Sequence, residues 1–517
     1  MKRKYSYLDL LPANGTVDNV TFKDGAAFES YLGKIYAAYS LTGRQGPAGQ
    51  PDITLVNDEG FTSYIRAYWK AQELTTDEAV IAWTDAGIRD LHDISWSSEN
   101  QFVRVIYYRL FLIIAYANDF LGQSEESKLN ERGVPAADRD AIRQYRAEAR
   151  FLRAMAYWHA LDMFRNVIVY EQITAELQKQ SSPQQTFAFI EEELNAIEAD
   201  LAAPRQNVYG RADRAAAWML KAKLFLNAQV YIQEDRYADA RAECEKIIAA
   251  GYSLAPSYPE LFLADNHRFG VNGGSNTEFI LTLPQDGNES QSWGSTTFLV
   301  HAAIGGSMNA ADYGVTGPWA GLRTTSTMVS KFSGATIPVA QDPRAMFYTS
   351  GQTLEIADIG TFTNGYAVPK FKNLTSTGTA GVNVTHVDTD YPLFRLADVY
   401  LMYAEAVVRG GGGSLSTATD YVNLIRTRAY GNTSANITQA QLTLDFLLDE
   451  RTRELYFEGT RRIDLIRFGK FSGASQTLWP WKGGVAAGQG VEPYRNIFPI
   501  PATDLASNPL LVQNPQY

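Results

Sequence analysis

The chain of 517 residues can bury a large core, and length alone allows about two to four domains. Apolar residues at 45% and charged residues at 20% are the proportions of a globular protein and exclude a disordered one. Acidic residues outnumber basic ones 57 to 46, giving a net charge of −11, and no dense Lys/Arg run offers nucleic acid a basic face.

The chain opens on a basic stretch, Met1-Lys2-Arg3-Lys4-Tyr5-Ser6-Tyr7, and Leu8 to Ala13 is no hydrophobic segment of signal length. Residues 25–41 place Phe28, Tyr31, Leu32, Ile35, Tyr36 and Tyr39 at helical spacing and predict a first helix. Residues 99–121 predict a second. Its most apolar part, Ile106 to Leu121, contains Arg109 and Asp119 and follows Arg104, which marks a buried helix; no stretch is long and uncharged enough to cross a bilayer.

Residues 143–164 predict a third helix with two apolar stripes. Ala149, Leu152, Ala156, Ala160 and Met163 form one, and Ala147, Phe151, Ala154, Trp158 and Leu161 the other. Two stripes mean packing on both sides. The same alanine-rich pattern returns in 211–231 and 394–409, and shorter companions follow at 186–201, 236–250 and 415–429. With 25–41 and 99–121 this makes four helix pairs. Tyr237-Ala238-Asp239-Ala240-Arg241-Ala242 resembles the second helix of a tetratricopeptide repeat, and stacked pairs of this kind form a solenoid with a curved binding face. Trp158 and Trp218, inside two-striped helices, are expected in the core, as is the single cysteine, Cys244, which excludes an intrachain disulfide and a Cys-based zinc site.

Residues 251–391 differ. They are rich in Gly, Ser, Thr and Asn, with turn signals at Asn272-Gly273-Gly274, Asp286-Gly287-Asn288 and Gly305-Gly306-Ser307 and β-like runs at Phe279–Leu283 and 367–371. Loop-rich segments of this length on a rigid scaffold usually carry function. The tail from 472 onward is similar, and Trp479 and Trp481 sit there on a turn with either role open.

Catalytic signatures are missing: the chain has no Gly-x-Ser-x-Gly, no His-Glu-x-x-His, no phosphate loop and no dinucleotide fingerprint after a strand. His92, His159, His267, His301 and His386 are not paired at metal-ligand spacing, and His159 reads as a structural residue of the third helix. Glu450, Glu454 and Glu458 repeat every four residues, which would put three carboxylates on one helix face. Arg451, Arg453, Arg461 and Arg462 interleave with them, so ion pairs are the better reading than paired acids of a glycosidase. No metal and no cofactor is expected.

Aromatic residues are the better lead. Trp83, Asp85, Asp90, His92, Trp96 and Asn100 cluster before the second helix, and Trp293, Phe298, Tyr313 and Trp319 lie in the long insertion. Flat rings beside Asp, Asn and His suit a neutral carbohydrate, whose C–H faces pack on the ring while its hydroxyls bond to the polar groups. Packing of loops onto the scaffold is the competing use of each of these rings.

Glu148-Ala149-Arg150-Phe151-Leu152-Arg153-Ala154 with Tyr157 resembles the hallmark helix of the SusD/RagB family of outer-membrane nutrient-binding lipoproteins. Tyr391-Pro392-Leu393-Phe394-Arg395-Leu396-Ala397-Asp398 and the following Val399-Tyr400-Leu401-Met402-Tyr403-Ala404-Glu405-Ala406 resemble it too, as do Asn423-Leu424-Ile425-Arg426-Thr427-Arg428, the Asp449–Arg467 stretch and the ending Phe498-Pro499-Ile500-Pro501 to Tyr517. The matches follow the family's order along the chain.

The resemblance implies a mostly α fold, four tetratricopeptide-like helix pairs in a right-handed superhelical scaffold with a long, partly β insertion. Residues 1–250 would be scaffold with the glycan-site loop near 75–100, 251–390 the insertion completing the binding face, 391–470 the fourth pair with the acidic/basic helix, and 471–517 a loop-rich end, all within one domain. It also implies a non-enzymatic protein that binds an oligo- or polysaccharide at the cell surface and passes it to a SusC-like TonB-dependent transporter. The family site lies in the loop before the second helix and in the insertion, here 75–100 and 287–323. The glycan-binding candidates are therefore Trp83, Asp85, Asp90, His92, Trp96, Asn100, Trp293, Tyr313 and Trp319. The family is held in the outer membrane by a lipidated N-terminal cysteine; no cysteine precedes Cys244, so the signal and anchor are expected to have been removed from this chain. The rival readings are an all-helical glycoside hydrolase or lyase using Asp85 and Asp90, a peptide-capturing member of the same family, and a helical adaptor whose partner is only protein.

Overall fold

The two-striped helices are buried around nearly their whole circumference. In α3 (Arg139–Phe164) every residue from Ala147 to Phe164 except Arg150 is buried. A computed structural model describes residues 21–43, 51–54, 56, 58–269, 278–332 and 342–517; the basic start, Leu8 to Ala13 and the Asn272-Gly273-Gly274 turn lie outside these. The other scaffold helices are α1 (Gly25–Ser40), α2 (Gln101–Gln123), α4 (Pro183–Ile197), α5 (Arg214–Leu226), α6 (Tyr237–Ala249), α7 (Leu396–Val408) and α8 (Leu415–Tyr430). Each packs on its successor, and α1 also reaches α3, α3 reaches α5 and α5 reaches α7, the near-neighbour stacking that paired helices produce.

The helix starts follow from side-chain caps. Asn100 Oδ1 accepts from the Phe102 and Val103 N–H groups, Asp213 from Ala215 and Ala216, and Ser182 forms a capping box with Gln185 ahead of Pro183. Two predicted helices are divided. The stretch 211–231 breaks at Asn227 into α5 and a last turn, Ala228–Tyr231. The stretch 449–467 breaks into α9 (Leu444–Leu455) and α10 (Arg461–Arg467), because Phe457 (φ 62°) and Gly459 (φ 77°) turn the chain. Glu458 therefore lies on the bend, and only Glu450 and Glu454 share a helix.

All three acids are buried and ion-paired, mostly with distant partners. Glu450 binds Arg344 (2.8 Å) and Arg426 (2.7 Å) as well as Arg453, and Glu454 binds Arg395 (2.6 Å), Arg344 (3.2 Å) and Arg428. Glu458 binds Lys370 (2.7 Å) and Arg395 (2.7 Å). The guanidinium groups overcome burial and hold Glu450 well below the ordinary carboxylate range and Glu454 down to about 2.

Three short strands form one small sheet. Strand β1 (Val80–Ile81) pairs antiparallel with β3 (Leu322–Thr324), and β3 with β4 (Tyr366–Ala367). A second sheet pairs β2 (Phe279–Leu283) with β5 (Tyr391–Arg395). The run 367–371 extends as a strand only at Tyr366–Ala367. The β1–β3 pairing, Val80 opposite Arg323, joins the loop before α2 to the long insertion.

Candidate functional site

Trp83 leaves β1 and Trp319 approaches β3 at the same end of the small sheet, so antiparallel pairing sets the two indoles side by side. Their ring centroids are 6.3 Å apart at 48°, and the Trp83 Nε1–H donates to the Trp319 carbonyl at 2.9 Å. Gly321 permits this approach: a Cβ there would meet the Trp83 ring at 2.5 Å. Trp293 follows at 6.1 Å and 51° from Trp319. It is brought in by Glu59, which accepts from its backbone N–H, and by Gly294, where a Cβ would strike Ser63 at 2.1 Å. Three partly exposed indoles, each turned about 50° from the next, thus form an arc rather than a flat shelf.

Each ring is backed by a second aromatic. Phe298 lies under Trp83 (6.1 Å), His301 stacks on Trp319 (4.8 Å, 23°), and His386 lies against Trp293 (4.6 Å). Beneath the arc sits Arg66, absent from the sequence candidates. Its guanidinium lies 5.8 Å from the Trp83 ring, 5.9 Å from Trp319, 4.8 Å from Phe298 and 4.6 Å from Phe61, and donates to the Trp293 carbonyl at 3.0 Å. Burial pushes this guanidinium down to about 10, against the pull of Asp58 and Asp85. Its buried Nε has no hydrogen-bond partner among the described residues, and neither has Lys70 Nζ, lodged between Phe61 (4.5 Å) and Phe102 (4.0 Å). The only hint in the sequence was a pair of cations within an aromatic run, Tyr64-Ile65-Arg66-Ala67-Tyr68-Trp69-Lys70.

The remaining candidates divide by burial. Asp85 is an exposed carboxylate at the rim. Asp90 is partly exposed, and its carboxylate accepts from Asn100 Nδ2 at 2.9 Å. Asn100 is buried and spent as the cap of α2 and as a donor to the Gly87 carbonyl, so it does not face a ligand. Trp96 is likewise a correction: it is 1% exposed, packs on Phe498 at 4.8 Å, and donates its indole N–H to the Tyr517 hydroxyl at 2.7 Å. His92 is 1% exposed, and burial drives its pKa well down. Tyr313, also buried, lies beside Lys372 rather than on the arc. Among the other tryptophans, Trp158 and Trp479 are buried, whereas Trp218 and Trp481 are partly exposed.

A cleft of about 560 Å³ elsewhere, lined by Arg146, Arg150, Arg153 and Glu193 among others, is charge-matched within itself, since Glu193 takes both Arg150 (2.7 Å) and Arg153. The arc is the better candidate because its three indoles are partly exposed and Asp85 beside them is exposed.

Comparison with known proteins agrees with this fold. A model described as the SusD family matches residues 287–517. The chain is 36% identical to the starch-binding protein SusD of Bacteroides thetaiotaomicron, over 94% of this chain and 91% of that protein. A SusD superfamily protein from Parabacteroides distasonis superposes with a TM-score of 0.73 at 20% identity, covering 95% of this chain and 99% of the other. The surface glycan-binding protein A of Bacteroides thetaiotaomicron, solved with laminarihexaose, superposes at 0.71 and 17% identity, covering 95% of this chain and all of that one.

Proposed function

The chain belongs to the SusD family, and from that premise we propose that it captures an oligo- or polysaccharide on the Trp83–Trp293–Trp319 arc without cleaving it. The observation that carries this is the arc itself. The C–H faces of a pyranose stack on indoles, and three adjacent indoles, each turned about 50° from the next, suit a curved chain better than a flat one. A helical α-glucan is such a curved chain, and the 36%-identical relative is a starch-binding protein. The exposed carboxylate of Asp85 is placed to accept from hydroxyls, while buried Arg66 steadies the rings from below by donating to the Trp293 carbonyl.

Cleavage would need two carboxylates facing the sugar, and Asp90 is already engaged by Asn100. The relatives are named as binding proteins, which supports a passive role. Delivery to a SusC-like TonB-dependent transporter at the outer-membrane surface, with a lipid anchor preceding this chain, is the family role we extend to it.

Isothermal titration with maltoheptaose tests the site. Trp319→Ala and Trp83→Ala should each cost about 2–4 kcal/mol of binding, enough to abolish a weak complex. Unchanged affinity in both defeats the assignment. Chromatography of the incubated sugar should show it intact; shortened products would favour the hydrolase reading.

A further inference from the structure

The loop from Phe471 to Glu492, which follows α10, is long, irregular and glycine-rich, yet it is fixed to the site rather than hanging from the end of the chain. Lys482 is fully buried, and its ammonium donates to the carbonyls of Leu74 and Ala79 (2.7 Å to the latter), the residues just ahead of β1. Burial pushes that ammonium down to about 7, a cost the two carbonyl bonds offset. The loop is thereby clamped to the strand that carries Trp83.

Next to this clamp stands Trp481. Its backbone has φ 66°, a left-handed conformation that a bulky aromatic rarely adopts and that the surrounding contacts must hold in place. Its indole N–H donates to the Ile356 carbonyl at 2.8 Å, so the partly exposed ring is fixed in orientation. Leu478 and Val485 on the same loop are 54% and 48% exposed. Three apolar side chains within eight residues thus face water on a pinned loop.

A polar strip joins this ledge to the arc. Arg89 donates from Nε to the Trp83 carbonyl (3.2 Å) and from Nη2 to that of Ala82, and a Cβ on Gly360 would meet the same Nη2 at 3.6 Å. Gly360 follows the exposed Asp358, two residues beyond the Ile356 that holds Trp481. Arg323, a buried residue of β3, donates to the Asn364 and Ile359 carbonyls and ties this loop to the same sheet. A continuous chain of contacts thus runs from Trp83 through Arg89 and the 356–360 segment to Trp481.

We propose that Trp481 is an outer subsite of the glycan site, so that the protein selects long oligosaccharides: the arc takes the first sugar units, Arg89 and Asp358 meet hydroxyls between, and Trp481 stacks a unit further along the same chain. This rests on the reading of the arc as a glycan site.

Titration calorimetry with α-1,4- and β-1,3-linked gluco-oligosaccharides of three and seven units tests it. Trp481→Ala should weaken the seven-unit ligand of whichever linkage binds by about tenfold, the equivalent of one stacked ring, and leave the three-unit ligand unchanged. Trp481→Gly, which relieves the left-handed backbone, should behave identically, and retained three-unit binding certifies the fold of each variant. Unchanged seven-unit affinity in both variants, or equal loss at both lengths, overturns the outer subsite while leaving the arc in place. Failure of the unaltered protein to bind any of the four sugars overturns both.

Discussion

The carboxylate cluster around α9 and the aromatic arc are built from the same materials, cations beside buried partners, and end in opposite states. At α9 the charges are matched: Glu450, Glu454 and Glu458 meet Arg344, Arg395, Arg426, Arg428 and Lys370 inside the core. Under the arc, Arg66 and Lys70 are equally buried but face ring edges and faces, with nitrogen atoms left unbonded among the described residues. At α9 opposite charges lock the cluster inside the core, out of reach of any ligand. Under the arc the cations carry half-exposed indoles, so what they position is a surface. Charge density alone does not tell the two regions apart; exposure of the rings above them does.

The largest expected effect separates the two regions by stability. Glu454→Gln strands Arg344, Arg395 and Arg428 with one partner fewer and should cost about 3–5 kcal/mol in urea denaturation. What remains folded should bind sugar normally. The same cluster sets an acid limit. Because Glu454 is held below its ordinary value near 4.5, its contribution is complete above that pH and drains away as pH falls toward about 2. Stability followed by fluorescence should decline through that window, and the decline should be shallower in Glu454→Gln; parallel curves would remove Glu454 from the acid limit. Arg66→Met should do the reverse of Glu454→Gln. Replacing an unmatched buried cation by an apolar chain is near neutral for folding, whereas losing the bond that holds the Trp293 backbone in the arc should weaken maltoheptaose by ~1.5–3 kcal/mol. A large loss of stability with intact binding would merge the two regions into one class.

The scaffold was legible because its signals are local. Periodicity placed eight helices to within a few residues, and family motifs fixed their order. The division at Phe457 and Gly459 was not legible, since the four-residue spacing of the acids continues straight through a bend that only φ reveals. Among the tryptophans the limit is again non-local. Trp83 and Trp96 stand in similar polar loop sequence, but β1–β3 pairing carries Trp83 to the insertion, while Trp96 meets Phe498 and Tyr517 from the end of the chain. Arg66 escaped notice for the same reason: its neighbours Trp83, Phe298 and Trp319 arrive from three other segments.

Trp96 supplies the smallest and most discriminating test. By composition it belongs with the sugar-binding rings, and by position it belongs to the core. Trp96→Phe keeps a ring against Phe498 and the Arg495 guanidinium, which lies 5.3 Å from the indole, but removes the donor to the Tyr517 hydroxyl. That hydroxyl still donates to the Ile497 carbonyl, so one acceptor interaction is lost and a small gap opens. The expected cost is about 1 kcal/mol of stability by thermal or urea melting, with sugar affinity unchanged. Trp83→Phe, a chemically identical change thirteen residues earlier, should show the opposite balance, because its indole N–H holds Trp319 in the arc. If Trp96→Phe weakens sugar binding as much as Trp83→Phe does, the arc extends to Trp96 through the core, and burial no longer separates the rings that hold the fold from those that hold the ligand.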